Sequence, residues 1–207
     1  MVKEPEIFMI GSTKYSIRKV GYREEFLNCC TMANKVSLEV TGDHNGGFLS
    51  TFREEDYNQT YCVWDEDEFE LVATFIFIKD DYIDEFAYPK FIGSKCTCHD
   101  TDLFHTMGEH LAEVNFISKM VVRDDYRRRG IGALILDYCI SKSKGCDVAM
   151  QIMIHPYLNL ANIHNAINKG FNMIDSTWYR DFGCNTRYAL FVRKAEPYES
   201  EEEFHEH

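Results

Sequence analysis

The sequence predicts a single mixed α/β (α+β) domain, and three observations carry that expectation. An apolar run, Val114 to Val122, a helix-patterned run, Ile131 to Ile140, and an alternating run, Cys146 to His155, follow one another closely. Strand, helix and strand at that spacing form a right-handed parallel crossover. Upstream, Tyr61 to Trp64 and Phe69 to Ile78 flank the acidic turn Asp65-Glu66-Asp67-Glu68 and read as an antiparallel hairpin. The chain has 207 residues with a hydrophobic fraction of 45%, which suffices for one sizeable core. Residues 1–194 are expected to form the domain, and residues 195–207 an acidic, mobile tail.

The elements follow in order. Tyr15 to Val20 reads as a first strand, and Arg23 to Ala33 as a helix with Phe26, Leu27 and Cys30 on its inner face. Thr41-Gly42-Asp43-His44-Asn45-Gly46-Gly47 is a loop by composition. Phe48 to Asn58 is compatible with a helix, and the hairpin comes next. Asp80 to Asp102 has no clear period and is expected to be an inserted or substrate-facing segment, with a short helix from Leu103 to Ala112. Beyond the strand Val114 to Val122, the apolar residues Ile131, Leu134, Ile135 and Tyr138 keep the i, i+3, i+4, i+7 spacing, so one helix face packs on a sheet. Lys142, Lys144 and Gly145 suit the end of that helix. Val148, Met150, Ile152 and Ile154 then alternate as a strand. A further helical run begins at Asn159, and Arg187 to Arg193 closes the sheet, with Tyr188, Leu190 and Val192 alternating.

Charge and cysteine usage narrow the function classes. Asp and Glu number 34 against 22 Lys and Arg, for a net charge of −12. Such a surface repels nucleic acid and anionic membrane, and attracts amines and basic peptides. The eight cysteines lack regular spacing. Met1-Val2-Lys3-Glu4-Pro5-Glu6 does not read as a secretory signal, and Leu71 to Ile78 is too short to span a bilayer. A reducing, cytoplasmic setting is therefore expected. Cys96-Thr97-Cys98-His99, with His105 and His110, suggests a metal cluster at first sight. Cys-x-Cys is tighter than the usual zinc spacing, so no metal is expected. The clusters Glu54-Glu55-Asp56 and Asp80-Asp81 suit a polyamine or basic peptide, and suit a solvated face better.

The chemistry-bearing stretch is Tyr126-Arg127-Arg128-Arg129-Gly130-Ile131-Gly132-Ala133, at the strand-to-helix turn. The first N–H groups of a helix are unpaired and sit at the positive end of its dipole. With glycines that allow close approach and three arginines alongside, they make a phosphate or pyrophosphate site. A dinucleotide fingerprint would need a third glycine where Ile135 stands, and no Gly-Lys-Ser or Gly-Lys-Thr of a P-loop occurs.

What the stretch does carry is Arg-x-x-Gly-x-Gly, as Arg127, Gly130 and Gly132. This resembles the acetyl-CoA signature of the GNAT-superfamily N-acetyltransferases. The lead-in from Met120 to Tyr126 and the later Asn159 to Gly170-Phe171 spacing are similar to that family too, so the resemblance spans Glu113 to Lys194. It implies a GNAT-like mixed, mostly antiparallel central sheet with splayed central strands, flanked by helices. It implies that pantetheine lies between the strands Val114 to Val122 and Val148 to His155. Backbone groups of Met120, Val121 and Val122 would pair with its amides, and an N–H near Met120 would stabilise the oxyanion. The N–H groups of Arg128, Arg129, Gly130, Ile131, Gly132 and Ala133 would hold the pyrophosphate, with Asn159 reaching the pantetheine arm.

The implied activity is transfer of acetyl from acetyl-CoA to a primary amine by direct attack, with a small amine or polyamine as the preferred acceptor. A protein lysine or N-terminus, or a CoA-binding module without catalysis, are the alternatives. A homodimer is compatible with the family. Family positions for acid and base hold Phe116, Ser118 and Ala166, none a strong base. The candidates left are His155, whose side-chain type titrates at about 6.5, Ser118 through a water, and Tyr188 or Tyr157 as acid. Glu113 and Asn115 precede the strand, and a water chain with no dedicated base stays open.

Overall fold

The computed structural model describes residues 4–41, 52, 54–79, 114–143, 145–155, 157–181 and 184–195. The strands are β1 (Glu6–Ile10), β2 (Thr13–Lys19), β3 (Thr60–Asp65), β4 (Glu70–Ile78), β5 (Val114–Val122), β6 (Asp147–His155), β7 (Asn172–Asp181) and β8 (Cys184–Arg193). The helices are α1 (Arg23–Thr41), α2 (Ile131–Lys142) and α3 (Leu160–Asn168), with short 3-10 turns at Glu54–Gln59 and Asp124–Tyr126. The strands form one sheet in the order β1-β2-β3-β4-β5-β6-β8-β7. Every neighbouring pair is antiparallel except β5 and β6, which are parallel. The mixed, mostly antiparallel sheet flanked by helices is therefore as expected.

Side chains alternate between two cores, as the pleat requires. Phe75, Phe77, Ile117, Val148, Met150 and Phe191 pack with Ile131, Ile135, Leu136 and Tyr138 of α2 and with Ala166 of α3. Their neighbours Ile76, Ile78, Phe116, Ala149, Leu190 and Val192 pack with Phe26, Cys29 and Ala33 of α1 on the other side. Strands β4, β5, β6 and β8 are thus covered on both faces, which is why they read as near-continuous apolar runs. Tyr138 sets the crossing of α2 over the sheet, with edge contacts to Phe8, Tyr61 and Phe75 at centroid distances of 6.2, 5.8 and 6.0 Å.

Several expectations need correction. The first strand is β1, absent from the sequence reading. Gly11, at φ +61, and Ser12 join it to β2 in a two-residue hairpin, where glycine supplies the positive φ of a primed turn. Helix α1 runs on past Ala33 because Val36 and Ser37 are buried against the sheet, so packing overrides their weak helix propensity. Its inner face is Phe26, Cys29, Ala33 and Val36, with Cys30 half-buried against the same core as expected, while Leu27 is 52% exposed. Thr41 ends the helix and does not open a loop. Of the stretch 48–58, Glu54 onward is a 3-10 turn. Strand β7 is an additional edge strand beyond the expected elements, and β8 starts earlier than Arg187. The loop 42–47, the segment 80–102, the helix 103–112, the Cys96-Cys98-His99 cluster with His105 and His110, Glu113 and the tail from Glu196 lie outside the described residues.

Candidate cofactor and acyl-transfer site

Strands β5 and β6 pair at four positions, Val114↔Asp147, Asn115↔Val148, Phe116↔Ala149 and Ile117↔Met150. Beyond Ile117 and Met150 they part, although each keeps its outer partner, β4 or β8, to its end. The splay is therefore local to this one junction. Both strands carry a register shift beside it. Ile76 faces Lys119 while Phe77 faces Ile117, which leaves Ser118 as the extra residue of a bulge in β5. Ile154 is the extra residue in β6. A bulge bends its strand and increases local twist, so two bulges on either side of one junction give a physical reason for the parting. Burial follows suit: Val114 to Ile117 are buried, and Ser118 to Val122 are half-buried. Met120, Val121 and Val122 thus carry their backbone along the parted edge.

The loop after β5 is built on Arg123 and Tyr126. The Arg123 guanidinium donates to Asp125 Oδ1 at 2.7 Å and also reaches Glu70. Its pKa is raised, chiefly by the Asp125 hydrogen bond, and that same bond holds the Asp125 carboxyl below its ordinary value. The buried Tyr126 ring lies between two cations, with Arg123 4.6 Å and Arg129 4.4 Å from its centroid. Arg127 pairs with Asp124 at 2.7 Å and donates from Nε to the Val122 carbonyl at 3.4 Å, so it braces the loop to the end of β5. Arg128 is exposed and sits at φ +62. Gly130 at φ +89 turns the chain into α2. The three arginines thus divide their tasks, with Arg127 and Arg129 tied to the protein's own groups and Arg128 reaching outward.

The mouth of α2 is the feature that suits an anion. No side chain caps it, no acidic residue stands in its first turn, and the first helical bond runs from Leu134 N to Gly130 O at 2.9 Å. The N–H groups of Ile131, Gly132 and Ala133 thus belong to the class of helix-start donors that lack an intrahelical acceptor. Gly130 is exposed, so a diphosphate can approach its backbone. These residues fit a phosphate-bearing coenzyme.

Asn159 caps α3, and its side chain accepts from Asn162 N at 3.2 Å. His155 is exposed at the end of β6 opposite Arg187, and Tyr188 is half-buried on β8 opposite Met153. Tyr188 shares its face of β8 with Leu190 and Val192, the α1 side. Phe116 and Ala166 are buried at 7% and 0% exposure and are apolar, so neither takes part in proton transfer. Tyr157 is 38% exposed. The sequence reading passed over one neighbour of the site: a Cβ placed on Gly132 would stand 3.0 Å from Asn165 Nδ2.

No family model and no curated protein matches the sequence. Solved structures do match the fold. A GNAT-family acetyltransferase from Listeria monocytogenes has a TM-score of 0.59 at 12% identity, covering 91% of this chain and 99% of its own. A GNAT-family acetyltransferase from Streptococcus pneumoniae has a TM-score of 0.56 at 14% identity, with 88% and 99% covered. This chain has the GNAT-superfamily N-acetyltransferase fold. Arabidopsis thaliana NAA60 in complex with acetyl-CoA shares that fold, with a TM-score of 0.52 at 14% identity over 86% of this chain and 97% of its own. Among the described residues no helix is long and apolar enough to cross a membrane. Among them, too, no group of three His, Cys, Asp or Glu is placed to hold a metal.

Proposed function

We propose that the protein is an acyl-CoA-dependent N-acetyltransferase that moves acetyl from acetyl-CoA to a primary amine. One observation carries this reading: the only parallel pair in the described sheet comes apart after four positions, next to an uncapped helix start. Extended backbone along β5 suits the pantetheine amides as an added strand would. The α2 mouth, with Gly130, Ile131, Gly132 and Ala133, suits the diphosphate, and Arg128 adds charge from outside. Met120, Val121 and Val122 line the arm, and Asn159 approaches it through the amide it does not use as a cap acceptor. An amine bound on the α1 side attacks the thioester carbon while a β5 N–H near Met120 takes the developing oxyanion.

An amine of ordinary pKa, about 10, must shed a proton first. His155 is the side chain best suited to receive it, because it ends β6 in contact with solvent. Ser118, the bulge residue, can pass the proton through water, and Tyr188 can return one to the leaving thiolate. Small amines and polyamines are the preferred acceptors on account of the net charge of −12, ahead of a protein lysine or N-terminus. The setting we infer is cytoplasmic, with residues 1–194 acting as one domain.

The test is release of CoA thiol from acetyl-CoA across a panel of amines. Release above the blank with at least one amine is expected, and none across the panel overturns catalysis. A second reading is favoured by the buried Phe116 and Ala166, namely a CoA-binding module without turnover. Calorimetry separates the two, since acetyl-CoA binding without thiol release selects the module. Gly130→Glu is expected to weaken acetyl-CoA binding at least tenfold, because a side chain at φ +89 is strained and adds a negative charge next to the α2 mouth. Unchanged affinity would remove the loop from the site.

A further inference from the structure

Helix α3 brings a polar side chain to the rim of the α2 mouth. Two contacts fix how the helices lie. Lys169 Nζ meets Asp137 Oδ2 at 2.6 Å, and Asn165 Nδ2 lies against Gly132. Stepping back along α3 from Lys169 to Asn165 accompanies stepping back along α2 from Asp137 to Gly132. Residues 162, 165 and 169 therefore form one flank of α3 that faces α2. Continued by one step, that flank brings Asn162 level with the turn before α2, where the uncapped N–H groups lie.

The polarity of α3 is the second observation. Ile163 and Ala166 serve the core, while Leu160 and Ile167 are 64% and 58% exposed. A helix that leaves two large apolar residues in water, yet keeps amides along its contact with another helix, departs from the usual apolar-in pattern. Asn165 is half-buried, and among the described residues its side-chain amide has no hydrogen-bond partner. Unlike Ser37 Oγ and Asp56 Oδ1, this amide is not sealed away from solvent, so it stays within reach of a ligand at the rim. Gly132 makes the room, since any Cβ there would press on this amide.

We propose that Asn165 donates its side-chain amide to the diphosphate of the coenzyme, with Asn162 beside it on the same rim; this rests on the acyl-CoA reading above. The amide extends the row of N–H donors at the α2 mouth by a neutral donor. Unlike an arginine, it adds hydrogen bonding without adding charge, and its contribution does not change with pH.

Asn165→Asp keeps the shape and replaces the donor by a charged acceptor. Calorimetry with acetyl-CoA and with acetyl-pantetheine, which lacks the diphosphate, locates the contact. At least tenfold weaker acetyl-CoA binding is expected, with acetyl-pantetheine unchanged within about twofold. Equal acetyl-CoA affinity in wild type and variant overturns the proposal and leaves the acyl-CoA reading standing. Equal losses for both ligands overturn it as well, because the amide would then act elsewhere. A wild-type protein that binds no acetyl-CoA overturns both. Should the Asp variant fold poorly, Asn165→Ser serves in its place, with a loss of at least threefold expected for acetyl-CoA alone.

Discussion

Phe69 stands at φ +56 in the β3–β4 turn with 81% of its surface exposed. A non-glycine residue in the left-handed region costs about 1–2 kcal/mol, and glycine returns part of that as chain entropy. Phe69→Gly is therefore expected to stabilise the fold by about 0.5–1 kcal/mol in urea unfolding; a destabilised variant would mean that the ring has a packing role. Tyr126 tests the loop differently. Burial, and then the nearby Asp65 and Glu70 carboxylates, push its phenol up to about 12, the hydroxyl lying 3.4 Å from Glu70 Oε2. An unfolded tyrosine ionises at about pH 10, so the stability held by the protonated phenol is intact below that value. It is lost as pH rises through about 12. Between these limits wild-type stability should fall more steeply with pH than that of Tyr126→Phe, by urea titrations at each pH; parallel curves would exclude the shift. At this scale the sequence was informative where a residue type has one use. Gly130 and Gly132 marked the candidate anion loop because glycine permits what other residues do not. The division among Arg127, Arg128 and Arg129 was not legible, because it depends on where Asp124, Val122 and Tyr126 come to rest. Asn165 was passed over because nothing in its neighbours along the chain announces Gly132.

Helix α3 is short, at nine residues, and its start relies on Asn159. Removing the cap acceptor in Asn159→Ala should cost about 1 kcal/mol of unfolding free energy, with Asn159→Ser recovering most of it. Equal losses in both variants would show that the side chain's main work is not the cap. Among the elements, β5, α2 and β6 were legible because their apolar periods are long and their ends are marked by charge or glycine. Strand β1 was not, because five residues carry too little period; only the Gly11-Ser12 turn identifies it, and that signal was passed over. The extent of α1 was hidden for the opposite reason. Val36 favours a strand locally, and its burial outweighs that preference.

For the whole molecule, an acidic surface of net charge −12 should draw cationic acceptors by long-range attraction. If so, kcat/KM for a polyamine falls several-fold between about 0.05 and 0.5 M salt, as the screening length shrinks. An amine with no second positive charge should change far less. Equal salt dependence for both would place recognition in short-range contacts alone. The mixed sheet was foreseen from a crossover and a hairpin. The place where it opens was known only from resemblance, because no residue pattern marks the loss of pairing between two strands some thirty positions apart. That opening has a further consequence. Two strand edges that part in the middle of a sheet suit an extended chain with amides at suitable intervals. Since β5 and β6 close again at Ile117 and Met150, the gap narrows like a wedge. A narrowing gap of that kind favours a slender, unbranched arm over a chain that carries side groups on alternate sides.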